Sequence, residues 1–313
     1  MTATRLDVKA GFSCNNRCTF CVQGDRRAHE PDRDTRTLLD LLASGRAYAD
    51  ELVLTGGEVT LRRDLIELVR AARTLGYRLV QIQSNGRRFS DPRYCDALID
   101  AGVTEFGPSL HGARRATHDA QTGAIGSFAQ TVQGVRNLVA RGQRVITNSV
   151  VNRANLRELP ELGALLVALG VHQYQLAMVH PLGTAGARFR SVVPTLWGAA
   201  PWVQRGLLPG MLAGVRVMVE AMPPCLMKGF ENYIAEIHIP PTRIEDVGRV
   251  VPDYRSARVG EGKAKGPPCV TCTWAEACEG PWREYPEVHG WAGMQPRLDT
   301  PMGTISWSPN SAT

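Results

Sequence analysis

From Arg5 to about Met222 the chain alternates short apolar runs with amphipathic stretches, and this alternation limits the fold more than any other feature. Strands are expected at Leu6–Phe12, Leu52–Thr55, Leu79–Gln83, Thr104–Leu110, Arg144–Val151, Gln173–Val179 and Val215–Ala221. Between them, Thr37–Ala49, Arg62–Leu75, Pro92–Ala101, Ser127–Ala140, Asn155–Leu169 and a region around Val203–Leu212 read as helices. The second of these places Leu65, Ile66, Leu68, Val69 and Ala72 at helical spacing, an apolar face fit to cover a sheet. Strands that alternate with helices pair in parallel, because each crossover helix returns the chain to the same sheet edge. The expected class is therefore α/β. Six or seven such repeats, with polar, glycine-rich loops after the strands, suggest a partial (β/α)6-type parallel barrel resembling a TIM barrel. A doubly wound open sheet has the same periodicity and stays open as the alternative.

After Pro223-Pro224 the pattern changes. The expected organisation is a barrel over residues 1–222, a small Cys-rich domain over 223–301 and a flexible tail over 302–313. The middle segment holds Cys225, Cys269, Cys272 and Cys278, many prolines and glycines, and no long periodic helix. Too little apolar surface is available there to drive folding alone, so a metal or cluster is expected to organise it. Trp274, Trp282, Tyr285 and Trp291 read as packing for that domain.

Eight cysteines lie at 14, 18, 21, 95, 225, 269, 272 and 278, and all but Cys95 fall in or beside clusters. No run approaches the roughly 18–20 apolar residues of a membrane span, and the first residues lack a signal-peptide core. A cytoplasmic chain with clustered cysteines uses them for metal or redox chemistry rather than disulfides. Cys95, among apolar neighbours on an expected helix, reads as a small buried hydrophobe. The formal charge of +6 comes from 32 Arg and 4 Lys scattered along the chain against 30 acids. No block of like charge and no basic helix face appears, so nucleic acid is not the expected partner.

Cys14-Asn-Asn-Arg-Cys18-Thr-Phe20-Cys21 follows the first strand with the spacing C-x3-C-x2-C. Three thiolates so spaced can hold three irons of a cubane and leave the fourth open to a ligand. Gly56-Gly57-Glu58 ends the second strand, Ser84-Asn85-Gly86 the third and Ser109-Leu110-His111-Gly112 the fourth. His118-Asp119, Thr122-Gly123 and Gly126-Ser127-Phe128 follow, then Asn148 on the fifth strand and Pro181-x-Gly183 after the sixth. In this order, over roughly residues 5–220, the series resembles the radical S-adenosylmethionine (radical SAM) superfamily.

That resemblance implies a [4Fe–4S] cluster on Cys14, Cys18 and Cys21, with SAM bound to the open iron by its amino and carboxylate groups. Reductive cleavage of SAM would give a 5′-deoxyadenosyl radical that abstracts a substrate hydrogen, the electron coming from a reductant such as flavodoxin or ferredoxin. Phe20, Gly56, Gly57, Glu58, Ser84, Asn85, Ser109, Asn148 and Val179 are the implied SAM contacts, with Glu58 an acceptor for its ammonium. Cys269-x2-Cys272-x5-Cys278 is similar to the element of SPASM or twitch auxiliary-cluster domains. With Cys225 it offers four thiolates for a second [4Fe–4S] cluster; a four-Cys zinc site is the alternative. Two such clusters would lower the charge from +6 to about +3. His118 is assigned a structural role, while His111 and His180, near strand ends, are candidates for the substrate space. The expected substrate is a peptide or amino-acid-like molecule; the alternative is a small molecule undergoing dehydrogenation or rearrangement. From another class, a non-catalytic iron–sulfur carrier or zinc-organised binding module would have no use for Gly56-Gly57-Glu58, Asn85 and Asn148 at successive strand ends.

Overall fold

Alternate residues of the strands face opposite ways, and here the two faces differ in chemistry. The computed structural model describes residues 4–301; the expected tail at 302–313 lies outside them. The first half runs β1 (Arg5–Lys9), α1 (Arg26–His29), α2 (Thr35–Gly45), β2 (Glu51–Thr55), α3 (Leu65–Thr74), β3 (Leu79–Ser84), α4 (Pro92–Ala101) and β4 (Glu105–Pro108). It continues with α5 (Arg115–Thr122), α6 (Ser127–Ala140), β5 (Ile146–Val151), α7 (Leu159–Ala168) and β6 (Gln173–Met178). Then come α8 (Gly183–Ala187), α9 (Phe189–Val192), α10 (Leu196–Leu212) and β7 (Arg216–Glu220). The remaining elements are β8 (Thr242–Asp246), β9 (Arg249–Val251), α11 (Tyr254–Ala257) and α12 (Glu284–His289).

Strands β4-β3-β2-β1-β8-β9 form one sheet and β5-β6-β7 another, all parallel except the β8–β9 pair. Parallel bridges Phe106–Val145 and Ser109–Asn148 join β4 to β5, so the two sheets make one curved wall. This is the expected partial barrel. Leu6, Val8, Leu52, Leu54, Val80, Ile82 and Phe106 are fully buried among the helices, which accounts for most of the core. The intervening positions Asp7, Gln81, Gln83 and Gln175 line the lumen instead.

Several boundaries differ from the periodicity for local reasons. Helix α2 starts at Thr35 because Asp34 caps it, its Oδ1 accepting from Thr37 N at 2.7 Å. Helix α3 starts at Leu65 rather than Arg62, because the Arg62 backbone is extended, with ψ at 134°, while its guanidinium reaches Ala10 O (3.2 Å) and Arg33 O (2.8 Å). Helix α10 begins at Leu196 and passes Pro201 and Pro209. Near Pro209 the Tyr174 hydroxyl enters the helix ladder, accepting from Gly210 N (3.0 Å) and donating to Gly206 O (2.9 Å). Strand β8 was not expected. Its sequence, Thr-Arg-Ile-Glu-Asp, lacks an apolar run, yet it pairs with β1 along Arg5–Val8 and extends the barrel wall.

Candidate active site

The three clustered cysteines at the mouth of the barrel lie on a loop pinned from many sides. Asp32 accepts from Phe12 N (2.7 Å) and Ser13 N (2.9 Å), setting the exit from β1. These bonds to its charged form, with the Arg62 guanidinium nearby, outweigh partial burial and hold the Asp32 carboxyl below its ordinary range. Arg17 N and Thr19 N donate to Thr122 O (2.7 Å) and Gln121 O (2.9 Å) at the end of α5. Asn85 Nδ2 donates to Asn15 Oδ1 (2.6 Å), and Arg87 donates to Asn15 O (2.7 Å) and Asn16 Oδ1 (2.9 Å). Thr184 N closes the far side on Cys21 O at 2.9 Å.

The glycine motifs have a steric purpose at this loop. Gly57 N donates to Gly11 O (2.9 Å) and Glu58 N to Ser13 O (2.8 Å), zipping the end of β2 to the cysteine loop. A Cβ on Gly57 would lie 2.3 Å from Phe12 O, and one on Gly183 would lie 2.6 Å from Cys21 O. Only glycine allows backbones to meet this closely. Glu58 is buried, and its carboxylate accepts from Thr60 N (3.0 Å), Ser84 Oγ (2.8 Å) and Asn85 N (2.6 Å). Its protein partners tie β2 to β3, so Glu58 and Ser84 shape the mouth from beneath. Burial raises the Glu58 carboxyl against those hydrogen bonds.

Phe20 is buried and meets the His111 ring edge-on at 4.7 Å. Burial drives His111 down to about 3, so the ring is neutral; Nδ1 accepts from Val150 N at 3.2 Å, which leaves the proton on Nε2. His118 stacks on His111 at 5.8 Å and accepts from His111 N at 3.1 Å. Ser109 and Asn148 line the lumen, and Val179, just past the end of β6, is buried, its N donating to Val151 O at 3.0 Å. His180 stacks on Trp282 of the C-terminal segment at 3.8 Å. The lumen itself is a cavity of 510 Å³.

Cys225, Cys269, Cys272 and Cys278 line a second, small cavity together with Pro223, Trp274 and Met294. Backbone N–H groups of Gly280 and Arg297 donate to the sulfurs of Cys278 (3.2 Å) and Cys272 (3.3 Å). Asn16 N does the same for Cys14 at 3.4 Å. Such N–H···S contacts are the ones that support thiolate ligands. Burial first, then neighbouring thiols, push Cys18 up to about 12, and burial likewise pushes Cys278 up to about 12. Among the described residues no three His, Cys, Asp or Glu side chains close on a single-ion position, at either cysteine group. Four thiols arrayed around one cavity, two of them with backbone amide support, and three on the loop, one so supported, fit polynuclear clusters. Cys95 stands apart, fully buried in α4 with Sγ 3.1 Å from Phe89 O.

A parallel partial barrel with a three-thiol loop after its first strand defines a class of cluster enzymes. The chain matches the model of the Radical SAM superfamily over residues 8–166 and belongs to that superfamily. Family membership brings SAM, one [4Fe–4S] cluster and the need for a reductant. A probable GTP 3′,8-cyclase from Saccharolobus islandicus is 34% identical over 191 residues, 59% of this chain and 60% of the relative. One from Metallosphaera sedula is 31% identical over 194 residues, covering 59% and 58%. The match thus spans less than two thirds of these curated relatives. Among solved structures, Streptococcus suis SuiB bound to S-adenosylmethionine superposes with a TM-score of 0.66 at 13% identity, covering 89% of this chain and 72% of that one. The enzyme anSMEcpe with bound AdoMet gives 0.56 at 17% identity, covering 69% and 64%. These two share the fold. No helix among the described residues is long and apolar enough to cross a membrane.

Residues that sequence motifs did not single out prove central to the loop: Asp32, Arg62, Arg87 and Asn15. Their signal was faint, since each is an ordinary polar residue whose partner lies far along the chain.

Proposed function

We propose that this radical SAM enzyme acts on a small polar molecule held in the barrel lumen, with a second [4Fe–4S] cluster on Cys225, Cys269, Cys272 and Cys278. The observation that carries the reading is the 510 Å³ lumen, whose wall includes Ser109 and Asn148 and so reaches the implied SAM contacts. That volume suits a small ligand. The curated relatives, named for a reaction on GTP, support the small-molecule alternative over the peptide or amino-acid-like substrate expected from sequence. SuiB bound to its precursor peptide shares only the fold.

When bound, the cluster and SAM supply the one-electron chemistry that generates a hydrogen-abstracting radical. The chain's share is positioning. Cys14, Cys18 and Cys21 would hold the cluster. The backbone around Gly56 and Gly57, with Asn85, Ser109 and Asn148, would orient SAM, and the lumen would exclude bulk water. With four thiols around it, the second cluster would be fully ligated, suited to electron transfer or structure rather than substrate binding.

Anaerobically reconstituted protein incubated with SAM and dithionite should form 5′-deoxyadenosine, and iron should approach about eight per chain. Absence of 5′-deoxyadenosine with intact clusters would refute the enzyme reading. About four irons plus one zinc would refute the second cluster.

A further inference from the structure

The lumen sorts its charges by depth. Its cations lie at the strand starts, on the floor: Arg5 pairs with Glu51 at 2.8 Å, and Arg144 with Glu105 at 2.6 Å. Arg216, the third cation of the wall, also has its interactions within the protein. Higher in the lumen stand two carboxyl groups, Asp7 on β1 and Glu220 at the end of β7. Asp7 Oδ1 is buried with no hydrogen-bond partner. Glu220 has a neutral partner, Gln175 Nε2 at 2.7 Å. Around them the wall is mostly amide and hydroxyl: Gln81, Gln83, Gln175, Asn148 and Ser109.

We infer that the lumen takes a small, hydroxyl- or amide-rich molecule carrying a protonated amine, held by Asp7 and Glu220, and not a nucleoside triphosphate. The inference rests on the lumen being the substrate space. A triphosphate would bring about four negative charges against carboxylates and already paired arginines, a costly arrangement away from bulk water. An ammonium meets the opposite condition: a carboxylate oxygen without a donor, a second carboxyl with only an amide, and amides to bind neighbouring polar groups. Burial drives Asp7 up to about 6, against the pull of Lys9 and Arg5. Burial and then Glu236 drive Glu220 up to about 7, against Lys263 and Arg258. At both groups burial outweighs the nearby cations, and a bound ammonium would add the counter-charge that offsets it.

A charge series on one scaffold tests this. Binding of glucosamine, glucose, glucose 6-phosphate and GTP is measured by calorimetry on anaerobically reconstituted enzyme with saturating SAM. L-lysine and putrescine, run alongside, separate amino-acid and polyamine sources of the amine from an aminosugar. At least one of the three amines should bind at least tenfold more tightly than GTP, and glucosamine should rank above glucose, with glucose 6-phosphate weakest of that set. Asp7→Asn and Glu220→Gln should each reduce the preference for the amine at least fivefold while SAM affinity and the thermal midpoint persist. Tighter binding of glucose 6-phosphate or GTP, no binding by any amine, or a preference untouched by both substitutions would overturn the inference. Formation of 5′-deoxyadenosine needs none of these ligands, so failure of the charge series is distinguishable from failure of the enzyme reading.

Discussion

The two cysteine sites gather their thiols by different means. The loop of Cys14, Cys18 and Cys21 is held by Asp32, by the ends of β2, β3 and α5, and by the turn into α8, largely through backbone bonds to a packed barrel. The cavity of Cys225, Cys269, Cys272 and Cys278 is framed mainly by turns, with α11 and α12 only 4 and 6 residues long. Its backbone bonds, such as Ala264 N to Pro281 O (3.0 Å) and Thr273 N to Arg297 O (2.9 Å), join parts of the same segment. Buried pairs Arg258–Glu279 (2.5 Å) and Arg297–Glu231 (2.7 Å) add to it. A loop fixed by a scaffold has its shape before metal arrives; a segment of turns takes much of its stability from the metal.

The largest expected effect follows from that contrast. Stripping the clusters by chelation under oxidant should speed amide exchange more than tenfold across residues 263–297, while strands β1–β4 keep their protection. Uniform loss or uniform retention, read by mass spectrometry, would break the comparison. Next, Cys272→Ser should lower both the thermal midpoint and the iron content, whereas replacing Cys14, Cys18 and Cys21 together by Ala should abolish SAM cleavage with little change in midpoint. Residual cleavage in that triple variant would refute the site assignment. Third, Asp32→Ala removes the acceptor of two backbone donors and should cost about 1–3 kcal/mol. It should lower cluster occupancy at the first site and leave the second unchanged.

Acidification gives a smaller effect. Asp32 is depressed in the fold by its hydrogen bonds, so its stabilisation is complete above the ordinary carboxylate value of about 4 and is lost as pH falls below it. In Asp32→Ala the acid limb of the stability–pH curve should flatten, a difference readable by thermal melts in citrate. Smallest of all, Cys95→Ala removes one buried sulfur at a cost of about 1 kcal/mol and should leave SAM cleavage nearly intact.

The cysteine spacing and the strand-end motifs were legible because each lies within a few residues of sequence and has a narrow chemical use. The lumen was legible in principle: Asp7 between Leu6 and Val8, and Gln81 and Gln83 beside Val80 and Ile82, break apolar strands at every second position. That period places them on the face away from the helices. Strand β8 was hidden by its charged sequence, since Arg243 and Glu245 satisfy each other at 2.8 Å. Asp32 and Arg87 were hidden for another reason. Their partners are 19 to 72 residues away, and no local pattern announces such a bond.

By itself the sequence determined that this chain builds a parallel α/β wall with three thiols after its first strand, and hence its superfamily and chemistry. Periodicity and ligand spacing are local quantities, and local quantities survive in one dimension. Only the tertiary structure decided that β8 extends the barrel and that Glu58 braces the mouth through Ser84 and Asn85. It also set paired arginines on the lumen floor beneath two carboxyl groups. These arrangements join residues from distant strands, and which charges remain unpaired depends on how the barrel curves them together.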